Sequence, residues 1–64
     1  MLKLEFKTGN AAFRDEDGNL DRYAVADYLR EKANDIADDI ENGYEEGFLL
    51  DINGRKVGSW QLED

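Results

Sequence analysis

Leu2-Lys3-Leu4-Glu5-Phe6-Lys7 alternates apolar and charged positions strictly. Period 2 is the pattern of a strand with one face in a core and one in water. Thr8-Gly9-Asn10 breaks the alternation. Ala11-Ala12-Phe13-Arg14 reads as a short extended piece, and Asp15-Glu16-Asp17-Gly18-Asn19 as a turn in which Gly18 or Asn19 takes a positive φ. The connection from about 8 to 20 is long for a compact domain, a length that favours a working loop.

From about Asp21 to Asn42 the period changes. Val25, Leu29, Ala33, Ile36 and Ile40 fall at spacings of 4, 4, 3 and 4, one stripe of an amphipathic helix. Asp21 suits the N-cap and Gly43 the left-handed position that closes the helix. Beyond it, Phe48-Leu49-Leu50-Asp51-Ile52 and Arg55 to Leu62 are strand-like runs flanking Asn53-Gly54, the strongest short hairpin signal. Two registers fit. A two-residue turn pairs Leu50 with Val57 and Phe48 with Ser59. A three-residue loop with Gly54 in a bulge pairs Asp51 with Arg55 and Leu49 with Val57. The first is preferred, because it gathers Phe48, Leu50, Ile52 and Val57 on one face and leaves Leu49, Trp60 and Leu62 on the other.

The order is β-α-β-β. The helix returns the chain, so the first and second strands run the same way, and the last strand fits between them. The expected fold is α+β: one domain over residues 1–64, with one amphipathic helix on a three-stranded antiparallel sheet of order 1-3-2. One helix covers one face. On the other, Leu49 and Trp60 are expected to form an exposed apolar patch for self-association, unless a loop covers Trp60.

Composition narrows the chemistry. The 64 residues carry 16 acids against 8 bases, a net charge of −8, with neither Cys nor His. Disulfides and thiolate metal sites are therefore excluded, as are the commonest general base and zinc ligand. Apolar runs are too short for a membrane span. Phosphate binding needs clustered Lys and Arg, and Arg14, Arg22 and Arg30 are scattered, so direct contact with nucleic acid is not expected.

Glu5-Phe6-Lys7-Thr8-Gly9-Asn10-Ala11-Ala12-Phe13 near the start resembles small acidic proteins of unassigned activity carried by phages and other mobile elements. So does Ile40-Glu41-Asn42-Gly43…Gly47…Asp51-Ile52-Asn53-Gly54…Val57-Gly58…Trp60 near the end. The resemblance spans most of the chain except the loop at 15–22 and the helix surface. It implies an intracellular, cytoplasmic, mobile-element setting and brings no catalytic residue.

Catalysis is not expected. Thr8 and Ser59 are the only hydroxyl residues besides tyrosines, and no His or Cys stands beside them. The stretch from Asp15 resembles a calcium loop, but an EF-hand needs Gly at its sixth position and Glu at its twelfth. Here Gly is fourth and the twelfth residue is Ala26. Gly43 and Gly47 form no phosphate loop, since neither Lys nor a helix start follows. No cofactor or metal is expected.

The charge is unevenly placed. Residues 1–32 carry seven acids and six bases, and residues 33–64 carry nine acids and two bases. At 100° per residue, Asp27, Glu31 and Asp38 project opposite the apolar stripe, with Asp35 and Glu41 about 60° to either side. Asp39 stands nearer the core edge. Local stability does not explain this ridge. Asp27/Glu31 and Glu31/Asp35 are like-charge i, i+4 pairs, and Asp38, Asp39 and Glu41 sit at the end where the helix dipole disfavours anions. Solubility is one reading. The other is a basic surface on a partner protein, in the class of nucleic-acid-binding proteins, met by Asp27, Glu31, Asp35, Asp38, Glu41, Glu45 and Glu46 as an approximate DNA mimic. The alternative to partner binding is a homodimer through the open sheet face.

Overall fold

The computed structural model describes residues 1–64. Strand β1 (Leu2–Phe6) leads through a short 3-10 turn (Ala11–Phe13) into helix α1 (Arg22–Glu41), followed by β2 (Glu46–Leu50) and β3 (Lys56–Leu62). The sheet order is β1-β3-β2, antiparallel throughout. Asp21 caps the helix, its carboxylate accepting the Ala24 N–H at 3.1 Å. At the other end Asn42, Gly43 and Tyr44 donate their N–H groups back to carbonyls of residues 38–40. These bonds satisfy acceptors that a helix end leaves open.

The hairpin combines both anticipated registers. Along the strands Phe48 faces Ser59 and Leu49 faces Gly58, but Leu50 then faces Lys56. Val57 is therefore an extra residue, a β-bulge. At the turn the Asp51 N–H donates to the Arg55 carbonyl at 2.8 Å, closing the three-residue loop of the second register, with Gly54 at φ +79°.

The bulge decides which face is the core and corrects the face assignment drawn from the sequence. Val57 and Trp60 are three residues apart, so a regular strand would send them to opposite faces. The extra residue turns both inward. Register with β1 places Leu2, Leu4 and Phe6 on the same face as Leu62 and Trp60; Leu4 and Phe6 pack against the core that Ile36 of the helix completes, while Leu2 and Leu62 stay partly exposed. Leu49 and Trp60, each 3% exposed, are thus core residues packed with Ile36 and Val57, not an open patch. Phe48 (68% exposed) and Ile52 (92% exposed) are instead in solvent, and Leu50 is partly so. Lys56 lies 4.2 Å over the Phe48 ring and gives that exposed aromatic a cationic neighbour. Gly47 makes room for the tryptophan: a Cβ there would stand 2.5 Å from the indole Nε1.

The expected 25-29-33-36-40 stripe is only partly used. Ile36 is buried and Ile40 packs beside it, while Leu29 and Ala33 are exposed. Tyr28 takes a place in the core instead. Its ring meets Phe6 (5.0 Å) and Phe13 (5.1 Å) in an aromatic triad at the turn end of the sheet. Ala11-Ala12-Phe13, read as extended, is a single 3-10 turn, because the Asn10 side chain accepts the Ala12 N–H and starts it.

Candidate functional site

The helix projects its acids where their periodicity places them. Asp27, Glu31, Asp35, Asp38 and Glu41 are all exposed, as are Glu45 and Glu46. From Asp27 to Glu41 the line covers about 21 Å at 1.5 Å per residue. Two of these carboxylates have a basic neighbour: Arg30 lies 2.9 Å from Asp27, and Lys32 lies 3.8 Å from Asp35. The Lys32 ammonium lies over the Tyr28 ring, its Nζ 5.5 Å from the centroid, so its charge stays on the helix flank.

Glu31, Asp38, Glu41, Glu45 and Glu46 have no basic group within 4 Å, since the remaining ion pair joins Lys3 to Glu63. The uncompensated charge therefore concentrates toward the helix C-terminus, whose last turn carries no basic residue. Peptide dipoles add their own negative end there. The result is a region of negative potential that the fold does nothing to offset.

The seven acids do not form one straight row. Asp27, Glu31 and Asp38 share the helix face turned away from the sheet. Asp35 and Asp39 overhang the edge of β2, where they border a shallow groove with Phe48, Leu49 and Leu50. Glu46 pairs across strands with Gln61, so it lies on the sheet face that α1 does not cover. Leu49 and Trp60 are buried and present no surface to a partner.

At the opposite end lies a polar cluster that residue-type reasoning passed over as two separate turns. Asp51 is the buried polar residue of the chain. Its Oδ1 accepts the N–H groups of Asn53 and Arg55, each at 2.9 Å, and its Oδ2 accepts Asn10 Nδ2 at 2.8 Å. The Arg55 N–H above all, with those of Asn53 and the Asn10 amide, holds this carboxyl below the usual aspartate range against the opposing effect of burial. Nearby, burial pushes the Tyr28 hydroxyl up, with the charges of Asp51 and Glu31 acting the same way. That hydroxyl donates to the Leu50 carbonyl at 2.8 Å. The signal for the cluster was present in Asn10 and Asp51, but nothing local marks two turn residues as partners.

The Asp15 carboxylate accepts the N–H groups of Asp17 and Asn19, each at 2.9 Å. This is the Asx-turn chemistry expected for that stretch. No helix is long and apolar enough to cross a membrane. The chain matches no protein-family model, no curated protein and no solved structure in comparisons with each.

Proposed function

We propose that this protein is a non-catalytic binding module whose helix acids engage the basic surface of a partner protein. The observation that carries this reading is the uncompensated charge at the end of α1. Asp38 and Glu41 stand exposed, without basic neighbours, at the helix end where anions cost stability.

Nucleic-acid-binding proteins are the partner class that best suits such a surface. Their grooves are basic and accept negative charge spaced along a rod. Neighbouring acids three or four residues apart stand about 4.5–6 Å apart along the axis, against about 3.4 Å per phosphate on one DNA strand. The mimicry is of charge and rod shape rather than of phosphate register. The likeness to phage and mobile-element proteins points to a host nuclease or defence protein within that class, met in the cytoplasm.

The test is capture from bacterial lysate at low salt, with a salt gradient and then duplex DNA as eluants. A nucleic-acid-binding protein retained by wild type, displaced by DNA and lost with Asp38→Lys/Glu41→Lys supports the reading. Equal retention by the reversed variant refutes it.

A further inference from the structure

We infer that the free edge of β1 is a homodimer interface, a proposal independent of the acidic-ridge reading. In this interface two copies pair β1 with β1 in antiparallel register centred on Leu4, forming one continuous six-stranded sheet.

The edge is open, since β1 is the outer strand of the order β1-β3-β2. Such an edge is a template for strand pairing unless something blocks it. Toward β3, the Met1 carbonyl accepts the Glu63 N–H and the Lys7 N–H donates to the Val57 carbonyl. Backbone direction alternates along an antiparallel strand, so Leu2, Leu4 and Phe6 aim their N–H and C=O groups outward. Centring on Leu4 pairs Leu4 with itself and Leu2 with Phe6 of the second copy, which are the residues whose groups are free.

The side chains are self-complementary in the same register. Residues directly opposite share a face. Lys3 of each copy therefore meets Glu5 of the other on the outer face, forming two symmetric opposite-charge pairs. Shifting by two residues in either direction destroys this match, setting Lys3 against Lys7 and Glu5 against Glu5, or Lys3 against Lys3.

The helix supplies the third observation. Lys32, Asp35 and Asp39 border β2 on one side of Ile36, and at 100° per residue Leu29 and Ala33 lie around the helix on the other side of Ile36, away from β2. Leu29 is 42% exposed and Leu2 is 51% exposed. Both belong to apolar patterns that one copy leaves unfilled. In this register the Leu2 of the second copy stands opposite Phe6, at the end of β1 that Tyr28, next to Leu29, packs against, while Asp27, Glu31, Asp35 and Asp38 face away from the junction. A 64-residue chain with five buried apolar residues also has much to gain from added burial.

The test is sedimentation equilibrium of the full chain, with wild type, Lys3→Glu, Glu5→Lys and the double exchange Lys3→Glu/Glu5→Lys. Both sites are exposed on the uncovered sheet face, and circular dichroism checks that each variant folds. Wild type is expected to dimerise. Each single reversal should weaken association by about tenfold or more, and the double exchange should restore it. Leu29→Lys, on the helix flank, should also give folded monomer. A wild type that is monomeric at high micromolar concentration overturns the proposal. So does a dimer indifferent to the single reversals, or a double exchange that fails to rescue.

Discussion

Asn10 and Asp51, 41 residues apart in the chain, hold each other through a 2.8 Å bond from the asparagine amide to the carboxylate. Each side chain also organises its own turn. Asn10 Oδ1 starts the 3-10 turn by accepting from Ala12, and Asp51 Oδ1 closes the hairpin loop by accepting from Asn53 and Arg55. One contact thus fixes the β1–α1 connection against the β2–β3 hairpin and seats Phe13 beside Phe6 and Tyr28.

Asn10→Ala removes both bonds made by that side chain. Loss of stability should be about 1–3 kcal/mol, seen as a drop in Tm of several degrees. Faster amide exchange should appear first at Ala12 and across residues 52–55. A variant with unchanged Tm and exchange contradicts the clasp.

Acid exposes the role of Asp51. Its carboxyl is held below the ordinary aspartate value, so in acid the unfolded chain binds the proton more readily than the folded one. The stabilisation it contributes is complete above the usual aspartate range and is lost as pH falls through the depressed value. Acid also relieves repulsion among the helix carboxylates, which acts the other way. The informative quantity is the wild-type stability minus that of Asp51→Asn across pH 2–6, which should shrink toward the acid end.

Alkali acts through Tyr28. Its hydroxyl is raised above the ordinary value of 10.0, so its contribution is intact below that pH and declines as pH rises through the raised value. Tyr28→Phe should be less stable near neutrality, having lost the bond to Leu50, and flatter above pH 10. Parallel profiles would contradict the assignment.

Gly47→Ala tests the packing of Trp60. The new methyl would stand 2.5 Å from the indole Nε1, and forcing the ring aside should cost about 1–3 kcal/mol. The indole near-ultraviolet dichroism should change with it, whereas Gly9→Ala, where nothing lies within 4 Å, should leave that signal alone.

The pattern of the chain carried the helix, the three strands, their order and the helix ends, because period, caps and Asn-Gly chemistry are local, but not the 3-10 turn at Ala11–Phe13. It misled on the hairpin faces, because Val57 and Trp60 point the same way only through a bulge, and a bulge reflects competition across three strands. Leu49 and Trp60 consequently moved from the expected open patch to the core. Leu29 and Ala33 kept their place in the apolar stripe but stayed exposed. The acids of α1 were legible individually, since helical angle alone places them. The basic neighbours of Asp27 and Asp35 depend on side-chain conformation, and the turning of Glu46 to the other side of the sheet depends on its pairing with Gln61.

The acidic end of α1 separates binding from folding. Asp38→Lys/Glu41→Lys replaces anions with cations at the negative end of the dipole and should stabilise the domain by about 0.5–2 kcal/mol. A variant that loses its partner while melting higher cannot have lost it through unfolding.

The most direct measurement is therefore the affinity of wild type and of Asp38→Lys/Glu41→Lys for the captured partner, taken between low and moderate salt alongside both melting temperatures. Binding that weakens steeply with salt in wild type and is absent in the more stable variant is the predicted result. Equal, salt-insensitive binding by both proteins would contradict a role for the helix acids and leave them as a solubilising surface.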